Sequence, residues 1–314
     1  MNNQVGRRAL RKLYDSASLS WVRALHFDFL FRKEASTSSI FSRQLGYKTL
    51  STESSELGLN PELTFFILGS GSSVNELTPA DFAVINKNNS VGINVWVAHD
   101  FVPNIYSFES DHYDAPPPES LKFLSRTLDK KLRSNLHVRL LLLRPKRVEL
   151  RKRMVEVDPK FRGQIYMYGR QNLQSRLAEN LLPDVMRVLR KLRTGALPQN
   201  VALDNGASAT RMAYVALALG FKRIVFCGID LNTGPYFWDL NDPTGTNQVL
   251  SGYFPRPSGV PHDTTLATGR PYSNLDFLVA LGQSAERLLG ATFQVSSRSS
   301  ALAEHFAVYS WTDK

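Results

Sequence analysis

Residues 65–77 read Phe-Phe-Ile-Leu-Gly-Ser-Gly-Ser-Ser-Val-Asn-Glu-Leu, an apolar run that leads directly into small residues. The run predicts a strand, and Thr78-Pro79 predicts the start of a helix. A loop of this kind exposes backbone N–H groups and lets a phosphate approach closely. Val74 stands where the dinucleotide-binding pattern Gly-Xaa-Gly-Xaa-Xaa-Gly has its third glycine. The loop is therefore either a phosphate site or a plain tight turn. The candidate phosphate-binding residues are Gly69, Ser70, Gly71, Ser72 and Ser73.

Short apolar strands alternate with helical patterns through the rest of the chain, which is typical of a parallel sheet covered on both faces. We therefore predict an α/β fold with a single Rossmann-like domain. The predicted strands are 64–68, 91–95, 105–108, 138–143, 165–167, 223–227 and 292–295. The predicted helices are 79–86, 119–132, 173–193, 208–219 and 274–289.

Two regions depart from this alternation of strands and helices. Residues 1–60 resemble a basic, amphipathic arm followed by a Ser/Thr-rich linker, before a main domain over 61–314. Within the arm, residues 19–32 carry aromatic and basic side chains, which suits an interfacial helix or one packed on the core. Residues 119–198 are basic and are predicted to form a lid or small subdomain.

The net charge of +10 is unevenly distributed, with twelve Lys/Arg against three Asp/Glu over residues 119–155. Such a basic run favours an anionic partner, and a membrane surface or an acidic acceptor fits better than nucleic acid. The alternative is that the basic residues form a helix face exposed to solvent.

No run reaches the roughly 18 apolar residues of a membrane span, and the N-terminus lacks the apolar core of a signal peptide. We expect a cytoplasmic protein, with peripheral attachment to the inner membrane as a further option. The single cysteine, Cys227, is expected to be buried.

The second informative stretch is 207–230, where a helix of small residues ends at Gly220 and leads into a strand that finishes in Gly228-Ile229-Asp230. The helix start, with Asn205 and Ser208, can offer N–H groups to a phosphate or carboxylate. Asp230 could accept from ribose hydroxyls or hold a loop. Ligands in such folds bind beyond the carboxyl ends of strands, where Gly228–Asn232 also lies.

These pieces resemble the bacterial sialyltransferases of glycosyltransferase family 42. The matching segments come in the family's order over residues 64–305, and the block 216–230 is the most specific of them. The others are the loop 68–77, Gly-Ile-Asn at 92–94, Pro-Tyr at 235–236, His262, and Ser-Ser-Arg-Ser-Ser-Ala-Leu near 300.

The resemblance implies a metal-independent enzyme that uses a CMP-activated sugar, with no further cofactor. By this likeness Gly69, Gly71 and Ser73 would line the CMP and Asn94 would contact the donor. Tyr236 would hold the leaving phosphate, and His262 would be the catalytic base. Departures at Asn232, where the family has a second tyrosine, and at Asn205, where it has an arginine, concern the sugar and phosphate. A related keto-acid sugar such as Kdo or another nonulosonate is therefore an alternative to sialic acid.

The predicted reaction is inverting transfer to a hydroxyl of a bacterial surface glycan, such as lipooligosaccharide or capsule. A histidine suits the base because its pKa lies near 7; His99 and His112 are rivals to His262. The carboxylates Glu109 and Asp111 could bind an acceptor hydroxyl or a cation. Alternatives are a same-fold flagellin-modifying transferase, a hydroxymethylpterin pyrophosphokinase-like enzyme, and a non-catalytic membrane-peripheral scaffold. The sequence does not decide whether the protein forms an oligomer.

Overall fold

The structure is a computed structural model that describes residues 20–51, 53–109, 118–145, 157–173, 177–239, 250 and 271–311. Its strands are β1 Lys48–Thr49, β2 Phe65–Leu68, β3 Asn89–Ile93, β4 Ile105–Glu109, β5 Arg139–Leu143, β6 Ile165–Asn172, β7 Val201–Asp204, β8 Arg223–Cys227, β9 Thr292–Val295 and β10 Ala307–Val308. They form one sheet in the order β1-β6-β5-β4-β3-β2-β8-β9-β10, and β7 also pairs with β6. Each of these pairings is parallel.

Helices cover both faces of this sheet. They are α1 Ser20–Leu45, α2 Pro79–Asn86, α3 Pro118–Ser134, α4 Leu181–Arg193, α5 Ser208–Ala218 and α6 Asn274–Leu289. Capping boxes begin α2 at Thr78 and α6 at Ser273, so the first N–H groups of both helices have acceptors. At the other end of α6, Gly290 adopts φ +62°, the left-handed conformation that glycine tolerates best.

Strands inside the sheet, such as β2 and β5, are buried on both faces, which explains why they read as continuous apolar runs rather than alternating ones. One core cluster packs α4, α5 and α6 against the sheet, with Met212 and Phe277 fully buried. The other cluster packs α3 on the opposite face, with Trp96 and Leu128 fully buried. The predicted parallel α/β architecture is confirmed.

The N-terminal segment differs from the expected arm and linker. From Ser20 onward it forms one helix of 26 residues, which buries Phe31 completely, and β1 then pairs with β6. Residues 20–51 therefore belong to the same sheet as the remainder of the described chain.

Residues 119–198 also differ from the expected lid, since β5 and β6 are integral strands of the sheet. The basic residues of this region are partly used inside the fold. Arg144 pairs with Glu34, and Arg133 pairs with Asp158. Residues 146–155 of the basic run lie outside the described residues.

The order of the strands defines a switch point. From β2 the chain proceeds through β3, β4 and β5 on one side, whereas β8 and β9 lie on the other side. The loops that leave β2 and β8 start side by side at the carboxyl ends of these two neighbouring strands, and we call the region around them the switch-point crevice. In open parallel sheets this is the position at which ligands bind.

None of the helices in the described ranges combines the length and the apolar character that crossing a bilayer requires.

Candidate active site

The loops after β2 and β8 touch each other along the crevice. The N–H of Gly69 donates to the Cys227 carbonyl at 2.7 Å, and the N–H of Gly71 donates to the Gly228 carbonyl at 2.8 Å. A Cβ at position 71 would lie 2.3 Å from Oδ2 of Asp230 and 2.9 Å from the carbonyl oxygen of Gly228. Glycine is therefore required at this position by the close approach of the second loop.

Two further N–H groups of this loop are also engaged. The N–H of Ser72 donates to the Pro235 carbonyl at 3.1 Å, and the N–H of Ser73 donates to Oδ2 of Asp230 at 3.1 Å. The Ser73 hydroxyl donates to the other oxygen of the same carboxylate. Four N–H groups that we expected to face a phosphate thus have protein acceptors. Of the two roles considered for Asp230, the structure shows it holding the loop.

Tyr236 and Asn232 lie on the segment that follows β8. Tyr236 forms an antiparallel bridge with Gly71, and its ring stacks on Trp238 with centroids 4.4 Å apart. The side-chain amide of Asn232 donates to the Ser299 carbonyl at 2.9 Å and accepts from the N–H of Gly234 at 2.8 Å. Asn232 thus joins its own loop to the loop after β9. A cavity of about 430 Å³ opens beside it, lined by Asn232, Arg298, Ser299, Ser300, Ala301, Ala303, Glu304 and Val308.

On the other side of the crevice, the loop after β3 meets the start of α5. The hydroxyl of Ser208 donates to Oδ1 of Asn94 at 2.7 Å. Asn94 holds φ at +54°, and the second described non-glycine residue with positive φ, Leu231, follows β8 at +48°. Strained backbone of this kind concentrates at ligand sites, where the surrounding structure enforces it. Both outliers lie at the carboxyl edge.

Arg211 forms the centre of a buried charge network directly behind Ser208. Its side chain is fully buried, donates to Asp204 Oδ1 at 2.9 Å and to Ser208 Oγ at 2.9 Å, and forms an ion pair with Glu109. Burial alone would lower the pKa of Arg211, but the carboxylates of Asp204 and Glu109 raise it above its ordinary value. The guanidinium therefore stays charged, and Ser208 is held from behind.

A second arginine, Arg170 at the end of β6, lies 3.6 Å from Glu109 Oε2 and 3.9 Å from Asp204 Oδ2. The carboxylate of Glu109 thus lies between two guanidinium groups. The sequence had suggested that it binds a hydroxyl of the acceptor or a cation. The sequence offered one signal for this network. An arginine inside a helix of small, buried residues needs a carboxylate partner, because an unpaired buried charge is costly.

Asn205 has a different neighbourhood from Ser208. Its side-chain amide donates to the Ser273 carbonyl at 3.2 Å and to Oδ1 of Asn274 at 3.0 Å. It therefore ties the start of α5 to the start of α6.

His99, a rival for the base, is packed among rings. It stacks on Trp96 with centroids 4.3 Å apart, and its Nδ1 accepts from the N–H of Phe101 at 3.0 Å. Burial lowers the pKa of His99 to about 4, so the ring is neutral at pH 7. Both features make it a poor general base. Cys227 is buried as expected, and burial raises the pKa of its thiol to about 12.

His262 lies outside the described residues, as do His112 and Asp111. Their roles stay predictions. Within the described ranges, no three His, Cys, Asp or Glu side chains are grouped so that they could hold a metal ion.

No model of a known protein family matches the chain, and no curated protein matches it. Among solved structures, it is similar to the sialyltransferase CstII from Campylobacter jejuni in complex with the substrate analogue CMP-3FNeuAc. That likeness has 14% identity and a TM-score of 0.45, and covers 80% of this chain and 88% of that chain. The same enzyme with cytidine-5'-monophosphate gives 15% identity, a TM-score of 0.43, and coverage of 81% and 88%. The sialyltransferase CST-II with a trisaccharide acceptor and CMP gives 14%, 0.44, and coverage of 80% and 88%. At these values the function has to be inferred from this chain's own residues.

Proposed function

We propose that this chain is a glycosyltransferase that moves a sugar from a CMP-activated donor to a hydroxyl group of a glycan. One observation carries the proposal. The candidate donor-binding positions, which are scattered over residues 69–236, follow strands β2, β3, β7 and β8 at the carboxyl edge of the sheet, and two pairs of them touch. Asn94 contacts Ser208, and Ser73 contacts Asp230. Convergence of this kind at a topological switch point is typical of nucleotide sites.

In this proposal the nucleotide lies across the crevice, and its phosphate is met by side chains and by the start of α5. The first N–H groups of a helix have no partner within the helix and attract an anion. Tyr236 and Asn232 would add hydrogen bonds from the opposite side. Charge that develops on the leaving CMP needs such fixed donors, which act best when water is excluded. The engaged N–H groups of Gly69, Gly71, Ser72 and Ser73 would shape the crevice rather than bind the phosphate.

The proposed transfer is inverting and independent of a metal ion. His262 would take the proton of the acceptor hydroxyl as that oxygen attacks the anomeric carbon and CMP departs. Glu109 supports the absence of a catalytic cation, since its carboxylate already faces Arg211 and Arg170. The donor sugar would be sialic acid or a related keto-acid sugar. The acceptor would be a bacterial lipooligosaccharide or capsular glycan assembled in the cytoplasm at the inner membrane.

Ligand-induced thermal stabilisation in EDTA tests this proposal. CMP at about 100 times its Kd should stabilise the parent protein by about 2.7 kcal/mol. Asn94→Gly is the informative variant, because glycine accepts the positive φ while the amide is lost. Together with Ser208→Ala it should remove most of the CMP response. Ser134→Ala, at the exposed end of α3, is the matched control and should respond like the parent.

Other results of this experiment would favour the alternative functions. Stabilisation by ATP with Mg²⁺, without any effect of CMP, would favour the pyrophosphokinase-like alternative. No response to any nucleotide would favour the scaffold alternative. A CMP response that is unchanged in Asn94→Gly and Ser208→Ala would place the nucleotide away from this crevice.

A further inference from the structure

The first half of α1 is apolar on two opposite sides. Phe27 and Phe31 point into the core and are 6% and 0% exposed. Trp21, Leu25 and Phe29 are 61%, 60% and 62% exposed. Their spacing of four residues aligns them in one stripe over about two turns. We call these three residues the outer stripe.

The outer stripe lies at the same edge of the sheet as the candidate active site. Glu34 of α1 binds Arg144, which directly follows β5, so Glu34 lies level with the carboxyl edge. The opposite end of the helix leads to Gly46, which packs against Arg162 just before β6. The helix thus runs antiparallel to the strands. The segment from Glu34 back to Ser20 extends roughly 21 Å from that level, on the carboxyl side.

The charge around the outer stripe is positive. Lys33 continues the stripe at the same spacing, and Arg32 lies beside it; both are exposed. The two acidic residues of α1 are already paired, Asp28 with Lys191 and Glu34 with Arg144. In the sequence, the nineteen residues before α1 add four Lys/Arg and one acidic residue.

We propose that the outer stripe docks on a membrane that contains anionic lipids. Trp21, Leu25 and Phe29 would enter the interfacial layer, and Arg32 and Lys33 would meet the lipid phosphates. Amphipathic helices with aromatic and leucine side chains beside cations bind such surfaces through buried apolar area plus charge attraction. This inference does not rest on the proposed reaction.

A second copy of the chain fits the outer stripe less well. Stable dimers bury about 800 Å² on each partner, whereas one Leu and two aromatic side chains supply roughly half of that area. Two copies would also bring Arg32 and Lys33 of each chain together, and like charges repel. An anionic bilayer matches both the apolar stripe and the cations.

Docking in this way has a functional consequence. Because the outer stripe and the switch-point crevice share the carboxyl edge, the crevice would be held close to the lipid surface. An acceptor anchored in the same membrane could then reach it without leaving the bilayer.

Vesicle flotation of the full chain tests the inference. The parent protein should float with vesicles of phosphatidylcholine and phosphatidylglycerol, and much less with phosphatidylcholine alone. The triple variant Trp21→Ser/Leu25→Ser/Phe29→Ser should bind these vesicles at least about tenfold more weakly than the parent. Leu136→Ser/Val308→Ser is the matched control, since both residues are exposed and lie outside α1, and it should float like the parent.

Circular dichroism and thermal unfolding of each variant check that the fold is kept. The inference is overturned if the triple variant floats like the parent, if anionic lipid gives no advantage, or if no vesicle binds. It is also overturned if sedimentation velocity shows a dimer that the triple variant dissociates, because the stripe would then be an interface between copies.

Discussion

Ser208 and Asn94 are 114 positions apart in sequence, and the hydroxyl of Ser208 donates to Oδ1 of Asn94 at 2.7 Å. The same hydroxyl oxygen accepts from Nη2 of Arg211 at 2.9 Å. A hydroxyl has one proton, and Asn94 Oδ1 at 2.7 Å is a closer acceptor for it than Glu109 Oε1 at 3.3 Å. The NH₂ group of Asn94 is left on the other side of the amide. Arg211 thus holds Ser208, which in turn contacts Asn94, and we assign both of these polar groups to the donor site.

Replacing Arg211 by methionine should be among the most damaging single changes in the described chain. Methionine keeps much of the length but leaves the buried Asp204 and the partly buried Glu109 without their central cation. Removal of one partner from a buried ion pair costs about 3–5 kcal/mol. Urea denaturation of Arg211→Met should show this loss in the free energy of unfolding.

Arg223→Met is the control, since Arg223 is exposed and donates to one backbone carbonyl, that of Glu62. It should change the free energy of unfolding by less than about 1 kcal/mol. Adding Glu109→Gln to Arg211→Met should recover part of the lost stability. Equal stabilities of Arg211→Met and the parent would show that the network carries no net energy.

The two loops of the crevice predict a sharp difference between two glycines. In Gly71→Ala the new methyl group would lie 2.3 Å from Asp230 Oδ2, so the loops must separate. We expect a loss of about 1–3 kcal/mol in a thermal or urea unfolding experiment. Gly163→Ala adds its methyl group to open space, with nothing within 4 Å, and should be neutral or slightly stabilising. Similar stabilities of the two variants would contradict the close contact between the loops.

The meeting of the loops after β2 and β8 was predictable from sequence because their glycines and serines follow apolar runs at chain positions that a parallel sheet brings to one edge. Helix α1 was harder. Residues 35–42 read Ala-Ser-Thr-Ser-Ser-Ile-Phe-Ser, a composition typical of linkers. In the structure Ser38 and Ser42 are fully buried, and a Cβ at Gly169 of β6 would lie 2.5 Å from Ser38 Oγ. The small residues therefore let the helix pack closely on the sheet, which is a tertiary effect that local composition does not reveal.

Two hydroxyls of this helix donate to carbonyls of the preceding turn. Ser42 donates to the Ser38 carbonyl at 2.8 Å and Thr37 donates to the Lys33 carbonyl at 2.8 Å. Such bonds to the preceding turn allow Ser and Thr inside a helix. The short strand β7 was not predicted, because its four residues carry no periodic pattern. In the structure they pair with the last four residues of β6.

The buried histidine predicts a pH dependence of stability. The pKa of His99 is about 4 in the folded chain and 6.5 in its unperturbed state, so the unfolded chain binds the proton more tightly. Stability should therefore fall as the pH drops from about 6.5 to about 4, by up to about 3 kcal/mol at 1.36 kcal/mol per pKa unit. Free energies of unfolding measured across this range give the slope.

His99→Gln should remove this contribution to the slope, although it lowers stability at pH 7 through lost ring packing against Trp96. His137→Gln, at an exposed position, is the control and should keep the parent slope. An unchanged slope in His99→Gln would assign the acid sensitivity to other groups.

Cys227 provides an internal reporter of unfolding. Its side chain is buried and the pKa of its thiol is raised to about 12, so the reactive thiolate is almost absent near neutral pH. The native protein should resist a thiol reagent such as Ellman's reagent at pH 8, and one thiol per chain should react in guanidinium. Rapid labelling of the native chain at a rate independent of denaturant would show that the end of β8 is accessible.

The last prediction concerns the base assigned to the proposed transfer. If His262 takes the acceptor proton, His262→Ala should lower turnover by a factor on the order of 10²–10⁴, the usual share of general base catalysis. The CMP-induced rise in Tm should be unchanged, because the base faces the acceptor, and the acidic limb of the pH–rate profile should disappear. His112→Ala is the control and should be much milder. Near-normal turnover in His262→Ala together with an inactive His112→Ala would move the base to position 112, whereas a CMP response lost in His262→Ala would assign this histidine to donor binding.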